Sequence, residues 1–137
     1  ASDVYKRQVL SDSGGILGFS LYPHHLKNNT NCTLDSFCEM IARTSDVMNI
    51  KNIGIGSDLC LNQPDEIVEW MRNGTWSKNK NYGEGSKNKP GFPKQPGWFE
   101  DARGFFNIEK GLRKVGFSEE ETNGILGNNW YNFYRNI

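Results

Sequence analysis

Asp58 is the residue best placed to do chemistry in this 137-residue sequence. It follows Ile53-Gly54-Ile55-Gly56-Ser57 and so stands at the carboxyl end of a short predicted strand. Ligands bind at that end of parallel strands in barrels and open α/β sheets. A carboxylate there is costly to desolvate unless it works with a proton, a metal or a cation. The plainer reading makes Asp58 a turn or N-cap residue for the segment that follows. His24 and His25 are the two histidines. Neighbours on extended chain point opposite ways, so the pair is not expected to share one metal. Either can line a pocket, and both can equally be polar loop residues. Cys32, Cys38 and Cys60 form no CxxC and no even framework, which suits reduced, partly buried thiols. Gly54-Ile55-Gly56 lacks the third glycine and the following helix of a dinucleotide fingerprint. The sequence also has no Gly-x-Ser-x-Gly elbow.

The elements that must position Asp58 are legible in the pattern around it. Residues 14–22 form a nearly continuous apolar run before Pro23, as in a strand buried on both faces. Thr33 is a good N-cap, and Leu34, Phe37, Cys38 and Ile41 then recur at helical spacing. Residues 52–58 read as a second strand, whose glycines let neighbouring backbone approach closely. Strand, helix and strand together predict a βαβ crossover. Pro64 at a first helical position opens a short helix that Gly74 can end. Residues 75–103 carry no sustained period, and so long a loop in a compact domain is usually a lid, a binding loop or disordered. Its aromatics (Trp76, Tyr82, Phe92, Trp98 and Phe99) favour a packed loop over one face. Two helices follow. Asn107 can cap the first, which carries Ile108, Leu112 and Val115 and stops at Gly116. Ser118-Glu119-Glu120-Glu121 is a capping box for the second, with Ile125, Leu126, Trp130 and Phe133 on its face.

Sixteen basic and sixteen acidic residues cancel. That balance gives no footprint for nucleic acid or an anionic membrane, although residues 78–94 interleave lysines with aromatics. No run approaches the roughly 18 apolar residues of a membrane span. Residues 1–8 have neither hydrophobic period nor cap chemistry. Asp3-Val4-Tyr5-Lys6-Arg7-Gln8 is also what a transposon mosaic end encodes in one frame, so residues 1–8 are expected to be adapter-derived and residues 9–137 to be natural sequence from a protein that runs on upstream of Val9.

Three stretches together resemble the C-terminal part of the membrane (renal-type) dipeptidase family, peptidase family M19 of the amidohydrolase superfamily. They are Gly14-Gly15-Ile16-Leu17-Gly18-Phe19-Ser20-Leu21-Tyr22-Pro23, Cys38-Glu39-Met40-Ile41-Ala42-Arg43-Thr44 and Ile53-Gly54-Ile55-Gly56-Ser57-Asp58. The closing segments from Val115 to Glu121 and from Gly127 to Trp130 fit the same family. The resemblance implies an α/β fold, with these residues forming about strands seven and eight plus helices of a metal-dependent (β/α)8 TIM barrel. It implies a dipeptide substrate and two zinc ions in the whole protein. Asp58 would hold the metal-bridging hydroxide and relay its proton to the leaving amine. Tyr22 would face the substrate near the end of strand seven; His24 is a second substrate-side candidate from the residues alone, as a pocket-lining histidine.

The chain departs from the family in two ways. Leu59 and Cys60 follow Asp58 where an Asp-Phe-Asp-Gly run is common. The family's zinc ligands also have no counterpart here, so the chain alone is expected to bind no catalytic zinc and to be inactive. A homodimer is compatible with the family, and the compartment stays open with the cytoplasm as default. The competing expectation is a non-catalytic α/β module that binds a peptide or glycan through the aromatic, Lys-rich loop.

Overall fold

A computed structural model describes residues 2–73 and 91–137. Its centre is a parallel pair, β1 (Leu17–Ser20) and β2 (Ile53–Gly56), in the register Leu17 with Ile53 through Ser20 with Gly56. Parallel neighbours need a crossover. Here it is α2 (Leu34–Ser45), so the predicted βαβ unit forms, with both strands shorter than residues 14–22 and 52–58. Thr33 opens α2 as expected, its side chain accepting from the Ser36 amide at 3.1 Å. Thr44, buried near the far end, returns its hydroxyl to the Met40 carbonyl at 2.9 Å and is satisfied within its own helix.

The core gathers Phe19, Ile53 and Ile55 from the strands with Phe37, Cys38 and Ile41 from α2. Ile108 and Leu112 join from α4 (Phe105–Lys114), and Ile125 from the closing segment. Gly111 lets α4 approach α2: a Cβ there would stand 2.6 Å from Cys38 Sγ and 3.1 Å from Leu34 Cγ. The helix ends at Gly116, as predicted. The Phe117 amide reaches the Leu112 carbonyl and the Gly116 amide that of Arg113, with Gly116 at φ 109°.

Four local expectations change. Residues Ser2–Asp12 form a helix, α1, that the sequence does not announce. Asn107 caps nothing: α4 already begins at Phe105, and Asn107 Nδ2 donates instead to the Trp98 carbonyl at 2.9 Å. Pro64 lies one residue before α3 (Asp65–Asn73), its carbonyl accepting from the Val68 amide; Gly74 lies outside the described residues. The closing helix is broken into α5 (Glu119–Asn123), a π turn (Gly124–Asn128) and α6 (Asn129–Arg135). Its capping box forms as predicted, with Ser118 and Glu121 exchanging backbone-to-side-chain bonds at 2.8 and 3.1 Å.

Of the long loop 75–103, residues 75–90 lie outside the described residues. The remainder packs: Phe99 is fully buried, and Trp98 Nε1 donates to the Cys32 carbonyl at 2.6 Å. Of the β2 glycines, Gly56 faces the Gly18 backbone as expected, whereas Gly54 makes room for a side chain. Gly54 pairs with Gly18 across the sheet, and a Cβ on either would strike the Trp130 indole.

Candidate functional site

The carboxyl end of β1 releases the chain into a tight turn and that of β2 into irregular backbone. After β1, Leu21 is buried and Pro23–His25 make a 3-10 turn instead of extended chain. His24 and His25 therefore do not point opposite ways. Both rings pack edge-on against Tyr22, with centroids 5.5 and 5.2 Å away. Ser20, the last residue of β1, fixes this turn. Its Oγ accepts the Tyr22 amide at 3.1 Å and lies 2.9 Å from His25 Nδ1. His24 Nδ1 lies 3.4 Å from Asn29 Oδ1.

Two residues past the end of β2, Asp58 takes a left-handed backbone with φ 50°. Few residues besides glycine, asparagine and aspartate enter that region readily. That backbone sets the exposed Asp58 carboxylate at a cavity of about 220 Å³, lined by Tyr22, His25, Asp58, Cys60, Met71 and Phe92. Tyr22 and Asp58, expected from the sequence, meet there. His25 rather than His24 lines it, and Cys60, Met71 and Phe92 are additions that no motif marked. The signal for His25 was its place one 3-10 turn beyond a strand end, which a two-residue alternation rule misreads.

A larger cleft of about 1000 Å³ opens near Gly14, Ile16, Asn49, Asn52 and Asn132. It lies at the amino ends of the strands, whereas α/β sheets and barrels present ligands at the carboxyl ends. The smaller cavity is the better candidate on that ground. Among the described residues no group of three or more His, Cys, Asp or Glu is arranged to hold a metal ion. The other thiols are remote in character. Burial, ahead of the nearby Asp35, pushes Cys38 up to about 12, and burial also raises Cys32.

No helix among the described residues is long and apolar enough to cross a membrane. No family model and no curated protein matches the chain. Among solved structures, the chain is similar to the crystal structure of an amidohydrolase from Pseudomonas aeruginosa, at a TM-score of 0.76 and 24% identity. The superposition covers 96% of this chain and 39% of that one, so the chain spans about two-fifths of its neighbour's length. At this identity the likeness establishes architecture: these residues share the mixed α/β fold of part of an amidohydrolase.

Proposed function

We propose that the chain is the C-terminal part of a (β/α)8-barrel hydrolase whose whole form cleaves the amide bond of dipeptides, with Asp58 moving the proton. The observation that carries this reading is the placement of Asp58. It stands just past a parallel strand's carboxyl end, turned by left-handed backbone to a cavity it shares with Tyr22 and His25. A carboxylate so placed can accept a proton from water as its oxygen attacks the scissile carbonyl. It then returns that proton to the amine nitrogen as the carbon–nitrogen bond breaks, acting as general base and then general acid.

The resembling family uses two zinc ions. The donor set here does not fit them: Asp58, His25 and Cys60 share the cavity, yet no described cluster is built to ligate a metal. No step is therefore assigned to a metal in this chain. Metal ligands would come from outside the described residues, and the expectation that the chain alone is inactive stays a proposal. The peptide- or glycan-binding alternative relied on loop aromatics. Trp98 is half-buried and Phe99 fully buried in the packing, Phe92 lines the Asp58 cavity, and Trp76 and Tyr82 lie outside the described residues.

Asp58→Asn on the longer protein tests the reading, because asparagine keeps the left-handed backbone and removes only the proton acceptor. Dipeptide hydrolysis should fall about 10²-fold or more in kcat, the scale of general acid–base catalysis, with unchanged circular dichroism. Activity within twofold of the parent would sink it.

A further inference from the structure

The larger cleft, of about 1000 Å³, lies at the amino ends of β1 and β2, away from Asp58, and proton relay makes no use of it. Asn49 and Asn52 line it from the residues leading into β2, and Asn128, Asn129, Asn132 and Asn136 from the closing segment. Asn128, Asn132 and Asn136 fall four residues apart, so their amides form a row along α6. The π turn Gly124–Asn128 forms part of the wall, and such turns are frequent at functional sites.

One amide in this cleft is held ready for a donor. Asn129 is only 7% exposed. Its Nδ2 donates to the Ile50 and Ile53 carbonyls at 2.8 and 2.7 Å, which uses both amide protons and fixes how the group is turned. The Oδ1 atom accepts nothing among the described residues, yet it is not sealed into the interior. Gly124 keeps the space beside it open, since a Cβ there would stand 2.9 Å from Oδ1.

The surroundings say what kind of donor fits. The charged groups are Lys51, Glu120 and Glu121, and the Ser118 amide already engages Glu121, so no cluster of positive charge awaits an anion. An extended peptide is gripped along a strand edge, whereas this cleft opens at strand ends. Side-chain amides present donors and an acceptor in one plane, which pairs them with neighbouring hydroxyls that also donate and accept. Met48, Ile50 and Phe133 supply apolar wall for the carbon–hydrogen face of a ring. The volume stands at the top of the roughly 300–1,000 Å³ of small-molecule sites, which leaves room for more than one ring.

We propose that this cleft binds a neutral polyhydroxylated ligand, a sugar of two or more rings, with one hydroxyl donating to Asn129 Oδ1 and its neighbours paired by the amide of Asn132. The site is separate from the one at Asp58 and stands whether or not the chain belongs to a hydrolase.

Maltose, cellobiose and diacetylchitobiose are the probes, titrated into the 137-residue chain and into the longer protein. Methionines labelled at the methyl carbon separate the sites: Met48 lines the cleft, Met71 lines the Asp58 cavity, and Met40 packs against the core. At least one disaccharide should shift the Met48 methyl and the Asn132 side-chain amide, with Met71 and Met40 unmoved. Asn132 is exposed, so Asn132→Ala should fold as the parent does and bind about fivefold more weakly. Gly124→Ala, which crowds the Asn129 oxygen, should abolish binding, whereas Asp58→Asn should bind as the parent does. No Met48 shift from any of the three sugars overturns the site. Tighter binding of acetyl-trialanine-amide than of every sugar also overturns it and makes the cleft a peptide groove. A shift seen in the chain but lost in the longer protein overturns it as well, because the rest of that protein then covers the cleft. Movement of Met71 in place of Met48, or loss of binding in Asp58→Asn, would put the sugar in the other cavity and end the proposal.

Discussion

Burial sets the three cysteines apart, and one of them makes the folded chain sensitive to alkali. Cys38 has no exposed surface and lies under Gly111, with Asp35 nearby. Both lost hydration and the neighbouring negative charge disfavour its thiolate, which raises it from 9.0 to about 12. Below pH 9 the thiol is protonated folded or unfolded and contributes nothing to the pH dependence. Between about 9 and 12 the unfolded chain loses the proton that the folded chain keeps, so stability falls as pH rises. The urea midpoint should therefore decline more steeply from pH 8.5 to roughly 10.5 in the parent than in Cys38→Ala. Equal slopes would show that Cys38 does not titrate differently on unfolding. At this same scale the sequence is most legible where a residue's type and its place at a strand end agree. Asp58 stands out that way, Tyr22 enters through the family resemblance, and the two line one cavity. Asn129 was invisible. It is an ordinary polar residue in an Asn-rich chain, yet it is buried and its amide donates to the Ile50 and Ile53 carbonyls at 2.8 and 2.7 Å. Only its place in the packing reveals it.

Among the elements, local chemistry wrote the ends of helices more clearly than their interiors. Thr33, Gly116 and the Ser118–Glu121 box act within a few residues, so the sequence alone discloses them. The π turn at Gly124–Asn128 does not obey that logic. An extra residue in a turn rotates everything after it by roughly 100°, which breaks a face drawn at 3.6-residue spacing. Ile125 remains buried, while Trp130 is carried over Gly18 and Gly54 and donates from Nε1 to the Ile55 carbonyl at 3.0 Å. The contact between α2 and α4 offers a sharper test of how packing overrides propensity. Gly111→Ala gains up to about 1 kcal/mol of helix propensity. It also drives a methyl into Cys38 Sγ and Leu34, and overpacking of a fitted core costs about 1–3 kcal/mol. Packing should win. The variant should lose roughly 1 kcal/mol in urea unfolding, and a gain in stability would show that α4 can slide away from α2 at little cost.

For the whole molecule, what matters is that a two-stranded sheet has two outer edges and the chain treats them differently. On β2, the carbonyls of Ile53 and Ile55 accept from Asn129 and Trp130, so the closing helix satisfies backbone groups that a neighbouring strand would otherwise take. On β1, no strand among the described residues pairs on the side away from β2. The sequence could announce the βαβ unit, because its period and caps are local. It could not say what covers the far side of β1, because that depends on chain distant in sequence or in another molecule. The amidohydrolase whose fold it shares has more than half of its length without a counterpart here. If β1 pairs with such a strand in the whole protein, the chain by itself presents unpaired N–H and C=O groups there. An open edge of this kind templates pairing with a second copy. Sedimentation velocity should then show the 137-residue chain associating as its concentration rises. The β1 amides should gain protection from hydrogen exchange over the same range, while β2, flanked on both sides, is protected throughout. A chain that stays monomeric with β1 already protected would place a cover over that edge within its own sequence.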